Sequence, residues 1–377
     1  MVHHLYVHVP FCQRRCSYCD FSIAVRKHVP GSEYVDAVLS ELRSADPGPG
    51  ARGEALDTLY LGGGTPSLLP APDLTRLLTS LLDAYSSTPS LDDVEVTLEA
   101  NPEDVSPTAA GLWRAAGVNR VSLGAQSFDD QVLQWMHRSH DAARIGDAVR
   151  TLRGSGIENI SLDLIFALPE ELQRDWERDL DHAISLLPSH ISLYGLTVEP
   201  RTPLDRWISR GATTLPADER YAEEYLLAHQ RLTANGFQFY EVSNAARDGH
   251  RSRHNSAYWS GRPYVGLGPA AHSFDGQSRR WNIAAWEAYR RALAEGRSAT
   301  ESEETLTEDQ QELERVYLAL RTADGLPLRR PPPPSAAPWV AKGWVVHDGD
   351  RLRCTPEGWL RLDELVAKLF VAKELAS

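Results

Sequence analysis

Strand-type runs alternate with helical stripes through the first half of this chain, and that alternation restricts the fold more than any other feature. Leu5–Val9, Leu56–Leu61, Val94–Glu99, Val121–Gly124, Ile160–Phe166 and Ile191–Leu196 read as short strands. Between them the spacing predicts a helix over Ser32–Ala45, capped by Ser32, with Tyr34, Val35, Val38, Leu39 and Leu42 as its apolar stripe. Pro47-Gly-Pro-Gly50 breaks that helix, and further helices follow over Pro72–Ala84, Pro107–Ala116, from Asp129, over Ala142–Ser155 and over Arg174–Leu187. Strands joined through helices pair in parallel with the helices outside, so the expected class is α/β. Barrel-type α/β folds place their chemistry in loops at the C-terminal ends of the strands. The residues of chemical interest stand there: a cysteine loop after the first strand, glycines after the second, Glu99 at the third and Gln126 just past the fourth.

The cysteine loop is Cys12-Gln-Arg-Arg-Cys16-Ser-Tyr-Cys19, a C-x3-C-x2-C spacing with no fourth cysteine nearby. A closed thiolate site for zinc or a [4Fe-4S] cluster takes four protein ligands. Three thiolates on a cubane leave one iron open to a small molecule. A zinc site is the competing reading, with His3, His4 or His8 as fourth ligand. A Cys-x-x-Cys redox pair uses Cys16 and Cys19 but leaves Cys12 idle, and an odd, compact cluster is a poor disulfide framework. Cys354, far along the chain, reads as a core residue. Tyr18 and Phe21 flank the ligands, either to exclude water and face an adenine or to pack the loop.

At 377 residues, 42% hydrophobic and 24% charged, the chain suits a globular protein with a large α/β domain and a smaller one. Lys and Arg total 39 against 52 Asp and Glu, a net charge of −13, which repels nucleic acid and anionic membranes unless a basic patch compensates. No apolar run is long enough to span a bilayer, and no secretory signal precedes the first strand. The clustered free thiols suit a reducing cytoplasm.

Gly62-Gly-Gly-Thr-Pro66 lets backbone approach a ligand closely, although the same glycines also make a plain turn; it lacks the lysine of a phosphate loop. Glu99, Gln126, Arg138 and Asp163 can bind hydroxyls, amines or carboxylates, or be satisfied polar groups at strand ends. Beyond Pro216 a helix over Asp218–Asn235 ends at Gly236, and an aromatic, turn-rich stretch runs to about residue 282. In it, Arg251-Ser-Arg-His254-Asn-Ser-Ala-Tyr-Trp259 combines arginines for propionates, aromatics for a macrocycle and an imidazole suited to iron. A helix over Ala284–Glu295, an acidic segment Glu301–Glu304, an exposed proline-rich connection Pro331–Pro338, a hairpin Trp344–Arg353 turning at Asp348-Gly349, and a helix Pro356–Leu369 complete the chain.

The cysteine spacing resembles the radical S-adenosylmethionine (SAM) superfamily. Tyr6-Val-His-Val-Pro-Phe-Cys12 with Cys16-Ser-Tyr-Cys-Asp-Phe21 resembles, over nearly the whole chain, the oxygen-independent coproporphyrinogen III dehydrogenases and their relatives, the HemW-type heme chaperones. The resemblance implies a partial (β/α)6 radical SAM barrel over 1–235, a heme-motif region over 236–300 and a small helical, winged-helix-like module over 301–377. It implies a [4Fe-4S] cluster on Cys12, Cys16 and Cys19, with SAM at the open iron, where the superfamily's enzymes cleave it to a 5′-deoxyadenosyl radical. The implied SAM contacts are Tyr6, Tyr18, Gly63, Gly64, Thr65, Glu99, Gln126, Arg138 and Asp163. His254-Asn255-x-x-Tyr258-Trp259 is similar to the H-N-x-x-Y-W signature of the chaperones and implies heme at His254, as iron ligand or as pocket-lining residue, with His250 a rival iron ligand and His272 a candidate lining residue.

The dehydrogenases carry a further cysteine where this chain has Phe21, and a longer segment ahead of the position of Tyr6; both departures match the chaperones. The implied function is to bind heme and hand it to acceptor proteins, including respiratory enzymes, with an electron donor serving the cluster. The implied setting is the cytoplasm, with peripheral membrane contact as an option during delivery. Two alternatives stand beside it. One is oxidative decarboxylation of two coproporphyrinogen III propionates to give protoporphyrinogen IX, and the other is a regulatory or structural iron–sulfur protein.

Overall fold

Six parallel strands follow one another across a sheet in chain order: His4–Val9 (β1), Thr58–Gly63 (β2), Glu95–Ala100 (β3), Arg120–Gln126 (β4), Asn159–Phe166 (β5) and His190–Gly195 (β6). The computed structural model describes residues 3–44, 55–85, 93–328 and 336–374. The Pro47–Gly50 break and most of the Pro331–Pro338 connection lie outside them. Among the described residues no helix is long and apolar enough to cross a membrane.

The strands are two-faced. Leu5, Val7 and Val9 on β1, Leu59 and Leu61 on β2, Val96 and Leu98 on β3 and their counterparts onward are buried in the main core with the helices. The alternate positions are polar: His4, Tyr6 and His8, Thr58 and Tyr60, Glu95, Thr97 and Glu99, Arg120 and Ser122, Ser161 and Asp163, His190 and Ser192. Register places these side by side, with Tyr6 opposite Tyr60, Tyr60 opposite Thr97, and Ser122 opposite Ser161. Parallel strands covered on both faces usually read as unbroken apolar runs; here a polar face is covered by curling the sheet onto itself. Tyr60 on β2 lies within electrostatic reach of Tyr194 on β6, whereas in a flat sheet four strand spacings separate them by about 19 Å. The result is the expected α/β partial barrel with a polar interior.

The turn-rich stretch after Gly236 is more ordered than its sequence indicates. Gln238–Glu241 (β7) and Asn244–Ala246 (β8) extend the sheet antiparallel beyond β6, while Val265–Leu267 (β9) runs parallel to β1 at the other edge. Strands of three or four residues are too short to show a period. The acidic Glu301–Glu304 segment belongs to a strand, Thr300–Thr305, paired antiparallel with Ser278–Asn282, so that Glu304 lies opposite Arg279 and Glu303 opposite Arg280.

Local chemistry moved other boundaries. Ser32 lies inside its helix, Gly31–Ser44, and donates to Asp73 rather than capping. The Arg174–Leu187 helix is shorter, Trp176–Ser185, because Gln173 turns left-handed and Asp175 caps the Arg178 amide. The hairpin forms as expected, Val345–Asp348 with Arg351–Cys354, and Cys354 is buried. The closing helix is two, Pro356–Trp359 and Leu362–Glu374, the first pinned by the Trp359 indole donating to the Leu320 carbonyl.

Glu41, on the Gly31–Ser44 helix, fastens β9 to the barrel. Its carboxylate accepts hydrogen bonds from the Gly268 amide (2.8 Å), the Asn282 side-chain amide and the Tyr289 hydroxyl. Burial raises its pKa from 4.5 to about 7. A carboxyl raised in the folded state stabilises fully below the unfolded pKa and loses that contribution as pH rises through the folded one. The contribution lost between pH 4.5 and 7 is about 3 kcal/mol. Denaturant melts across this window are expected to show wild type losing roughly that much relative to Glu41→Gln, which cannot titrate.

Candidate cofactor site

Residues from the first two strand ends build the site together. Past β1 the cysteine loop leaves at Pro10 and returns at Ala24, whose amide donates to the Pro10 carbonyl (2.7 Å), while Arg26 N donates to Cys12 O (2.9 Å). His8 Nε2 adds a bond to the Ser22 carbonyl at 3.1 Å, and the loop is cinched at its base. The chain leaving β2 lies against it, with Gly64 N donating to Val9 O and Thr65 N to Phe11 O, both at 2.8 Å. That seam requires glycine. A Cβ on Gly64 would sit 2.8 Å from the Phe11 carbonyl oxygen, and Gly63 has a φ of +108° with its open side against the His8 ring. The plain-turn reading of these glycines is too weak; they admit backbone to backbone.

Cys12, Cys16 and Cys19, all free thiols, line a cavity of about 660 Å³. Tyr18, Gly63, Gly64, Thr65, Glu99, Gln126, Arg138 and Asp163 line it too. Gln126 reaches it from the end of β4 by taking a left-handed φ of 67°, uncommon for a residue with a Cβ. Glu99 accepts from the Tyr60 hydroxyl (2.8 Å) and the Gly63 amide (3.1 Å), and burial raises it to about 7. Asp163 accepts from Ser122 at 3.0 Å and is likewise raised by burial. Arg138 donates to Asn101 Oδ1 (2.6 Å) and the Gly124 carbonyl (2.8 Å), and leaves a buried Nε without a protein partner.

The donor set fits a cluster. Thr65 Oγ1 donates to Cys12 Sγ at 3.4 Å and Arg138 Nη1 to Cys16 Sγ at 3.6 Å, contacts that favour thiolate. Burial, with the neighbouring cysteines adding to it, pushes the Cys19 thiol up to about 11 and raises Cys12; a bound cationic metal centre reverses that balance. Zinc fits less well. The candidate fourth ligands are engaged elsewhere: His3 Nδ1 with Ala55 O, His4 Nδ1 with Thr58 Oγ1, and His8 with Ser22 O and the Tyr6 hydroxyl.

Two of the expected cofactor residues lie apart from this cavity. Tyr6 points into the barrel below it, its hydroxyl donating to His8 Nδ1 (3.1 Å) and its ring stacked on Tyr60. His254 is 1% exposed at the opposite end of the barrel. Its helix, Arg253–Trp259, abuts the start of β3, where the Arg253 and His254 amides donate to the Glu95 carboxylate at 3.0 Å. The imidazole binds Thr58 Oγ1 through Nδ1 (2.7 Å) and Tyr258 Oη through Nε2 (2.8 Å), and burial lowers its pKa to about 3. Arg251 and Arg253 face Asp324 and Asp57. His250 and His272 line neither this cavity nor one at the far end of the barrel.

Asn101, Tyr194, Glu199 and Ser243 also line the cysteine cavity and went unnoticed in the sequence. Tyr194 and Asn101 follow the same strand-end rule that found Glu99; nothing local marks Ser243.

The sequence model of the radical SAM superfamily matches residues 6–183. A Mycobacterium tuberculosis protein named heme chaperone HemW is 38% identical over 373 residues, covering 97% of this chain and 94% of the relative. The chain belongs to the HemW family. The Bacillus subtilis HemW is 36% identical over 326 residues, covering 86% of this chain and 85% of its own. A solved structure of Escherichia coli coproporphyrinogen III oxidase (HemN), a radical SAM enzyme, superposes with a TM-score of 0.79 over 97% of this chain and 89% of its own, at 22% identity; that likeness speaks to the fold. In this HemW family member Gly64→Ala is expected to cost about 1–3 kcal/mol and to reduce the iron retained after reconstitution. Gly111→Ala, on a helix with nothing within 4 Å of the added carbon, is expected to retain both. Thermal melts with iron assay separate the two.

Proposed function

We propose that this chain is a heme chaperone that binds heme and passes it to acceptor proteins, while carrying a [4Fe-4S] cluster on Cys12, Cys16 and Cys19 with SAM at the open iron. Kinship with a protein named heme chaperone along 97% of the chain carries the reading. The gathering of the three thiols with Glu99, Gln126, Arg138 and Asp163 on one cavity supports its cofactor half. Respiratory enzymes are the proposed acceptors, and the cytoplasm, with peripheral membrane contact during delivery, the proposed setting.

Bound at the cluster, SAM supplies a sulfonium carbon bond that an electron can break. The chain's own groups hold it. Thr65 and Arg138 donate toward the cysteine sulfurs, Glu99, raised to about 7, accepts or donates toward ribose hydroxyls, and the unpartnered Arg138 Nε is available to a carboxylate. Phe21, at the cavity wall where the dehydrogenases carry a further cysteine, is 58% exposed, so it does not close the mouth. Radical chemistry on a large substrate calls for a closed, dry site.

The test is anaerobic reconstitution of the full chain. Wild type is expected to take up iron and sulfide, bind SAM and hold heme one to one, and to leave coproporphyrinogen III unchanged with SAM and reductant. The triple Cys12→Ser, Cys16→Ser, Cys19→Ser variant is expected to lose the iron and sulfide. Turnover to protoporphyrinogen would move the assignment to the dehydrogenases, and purified protein carrying zinc would end the cluster reading.

A further inference from the structure

Strands β4 and β5 both give way to left-handed residues that carry a Cβ: Gln126, the last of β4, has a φ of 67°, and Ala167, just past β5, has a φ of 57°. Such backbone is uncommon outside glycine and persists where the surroundings fix it. Each turn here is fixed by a buried carboxylate. Asp179, on the helix Trp176–Ser185, accepts from the Ser127 hydroxyl (2.7 Å) and the Phe128 amide (2.8 Å), the two residues that follow Gln126. Glu224, on the helix Asp218–Ala234, accepts from the Ala167 amide itself at 2.8 Å.

The two carboxylates converge on one guanidinium. Arg174, its side chain enclosed, donates to Glu224 at 2.6 Å and faces Asp179 at 3.6 Å. It also donates to the carbonyl of Ile165 at 3.3 Å, on the last turn of chain before Ala167. The guanidinium carbon lies 4.4 Å from the Trp176 ring centroid, and the Trp176 indole donates to the Glu224 carbonyl at 2.9 Å. The half-buried Arg220 donates to the other oxygen of Glu224 at 3.1 Å. Two helices and two strand ends thereby meet at a single side chain. Those strand ends carry Gln126 and Ile165, both of which line the cysteine cavity.

We propose that Arg174 is a positioning residue for SAM: with Asp179 and Glu224 it sets the ends of β4 and β5 so that Gln126 and Ile165 meet the cofactor. The proposal rests on the reading of the cysteine cavity as a SAM site. Arg174 is not itself among the residues that line it. Stability is a poor account of the arrangement. Buried charges lose their water on folding, and apolar side chains of similar volume often hold a fold as well or better. What the charges add is geometry, since a planar guanidinium meets carboxylates and a carbonyl in fixed directions that an apolar plug leaves free. The cysteine loop is aligned by separate bonds, the backbone seam at the ends of β1 and β2. The proposal therefore separates SAM affinity from cluster assembly.

The experiment measures SAM affinity by equilibrium dialysis with radiolabelled SAM on the full-length, cluster-loaded protein. Iron and sulfide content, melting temperature and the electron paramagnetic resonance spectrum of the reduced cluster are read alongside. Arg174→Met is expected to keep iron and sulfide, to bind SAM about tenfold more weakly or worse, and to show the wild-type spectral change once SAM saturates it. Asp179→Asn is the milder variant and carries the test if Arg174→Met does not fold; it is expected to shift SAM affinity in the same direction. Arg174→Lys, which keeps the charge without the planar fork, is expected to recover part of the loss.

Arg247→Met is the control for lost stability. Arg247 donates to the Pro188 and Asn235 carbonyls at 3.1 and 3.2 Å and covers the Phe237 ring, at the end of β6 away from the cysteines. This variant is expected to bind SAM as wild type does. Wild-type SAM affinity in both Arg174→Met and Asp179→Asn overturns the proposal and leaves the SAM site standing. An equal loss of affinity in Arg247→Met at a matched fall in melting temperature does the same, as does loss of iron in step with SAM. Wild type that takes up iron and sulfide but binds no SAM overturns the SAM reading and the proposal together.

Discussion

A parallel sheet with one polar face has to hide that face from water without an apolar partner layer, and this protein does so by curling. Everything else follows from that constraint. Hydroxyls, carboxylates and imidazoles on neighbouring strands satisfy one another across and along the interior, as Ser122 does for Asp163 and Ser161 for His190. Because the interior is polar from end to end, both of its mouths offer donors and acceptors that helix-covered faces lack. One end holds three thiols, and the other is covered by the Arg253–Trp259 helix with the buried His254.

The cysteine mouth depends on backbone rather than side chains. The seam between Val9–Phe11 and Gly64–Thr65 aligns the cysteine loop with the second strand end. It brings Thr65 to Cys12, while Arg138, from the segment beyond β4, reaches Cys16. Glycine is required where the two backbones touch.

Spacing and periodicity carried the six-strand alternation, the cysteine triad and the strand-end carboxylates, all of which are local patterns. They failed where partners are distant. Glu301–Glu304 is an ordinary acidic run until Arg279 and Arg280 lie opposite it. The strand Val265–Leu267 exists because β1 has a free edge, and Ser243 joins the cysteine cavity through the antiparallel extension beyond β6. The H-N-x-x-Y-W run was visible as a motif, but which of its side chains faces a cavity was not.

By itself the sequence determined the fold class, the succession of the strands along the chain and the grouping of three thiols in one loop, since a two-residue period, helical stripes and cysteine spacing are properties of neighbours along the chain. The tertiary structure alone decided that His254 is buried at the far end of the barrel while Tyr258, on the same helix, lines a cavity. That outcome depends on how far the sheet curls and on which carboxylate receives the Arg253–Trp259 helix. Both are set by contacts between residues more than a hundred positions apart, as between Glu95 and His254, and such contacts leave no periodic trace in the chain.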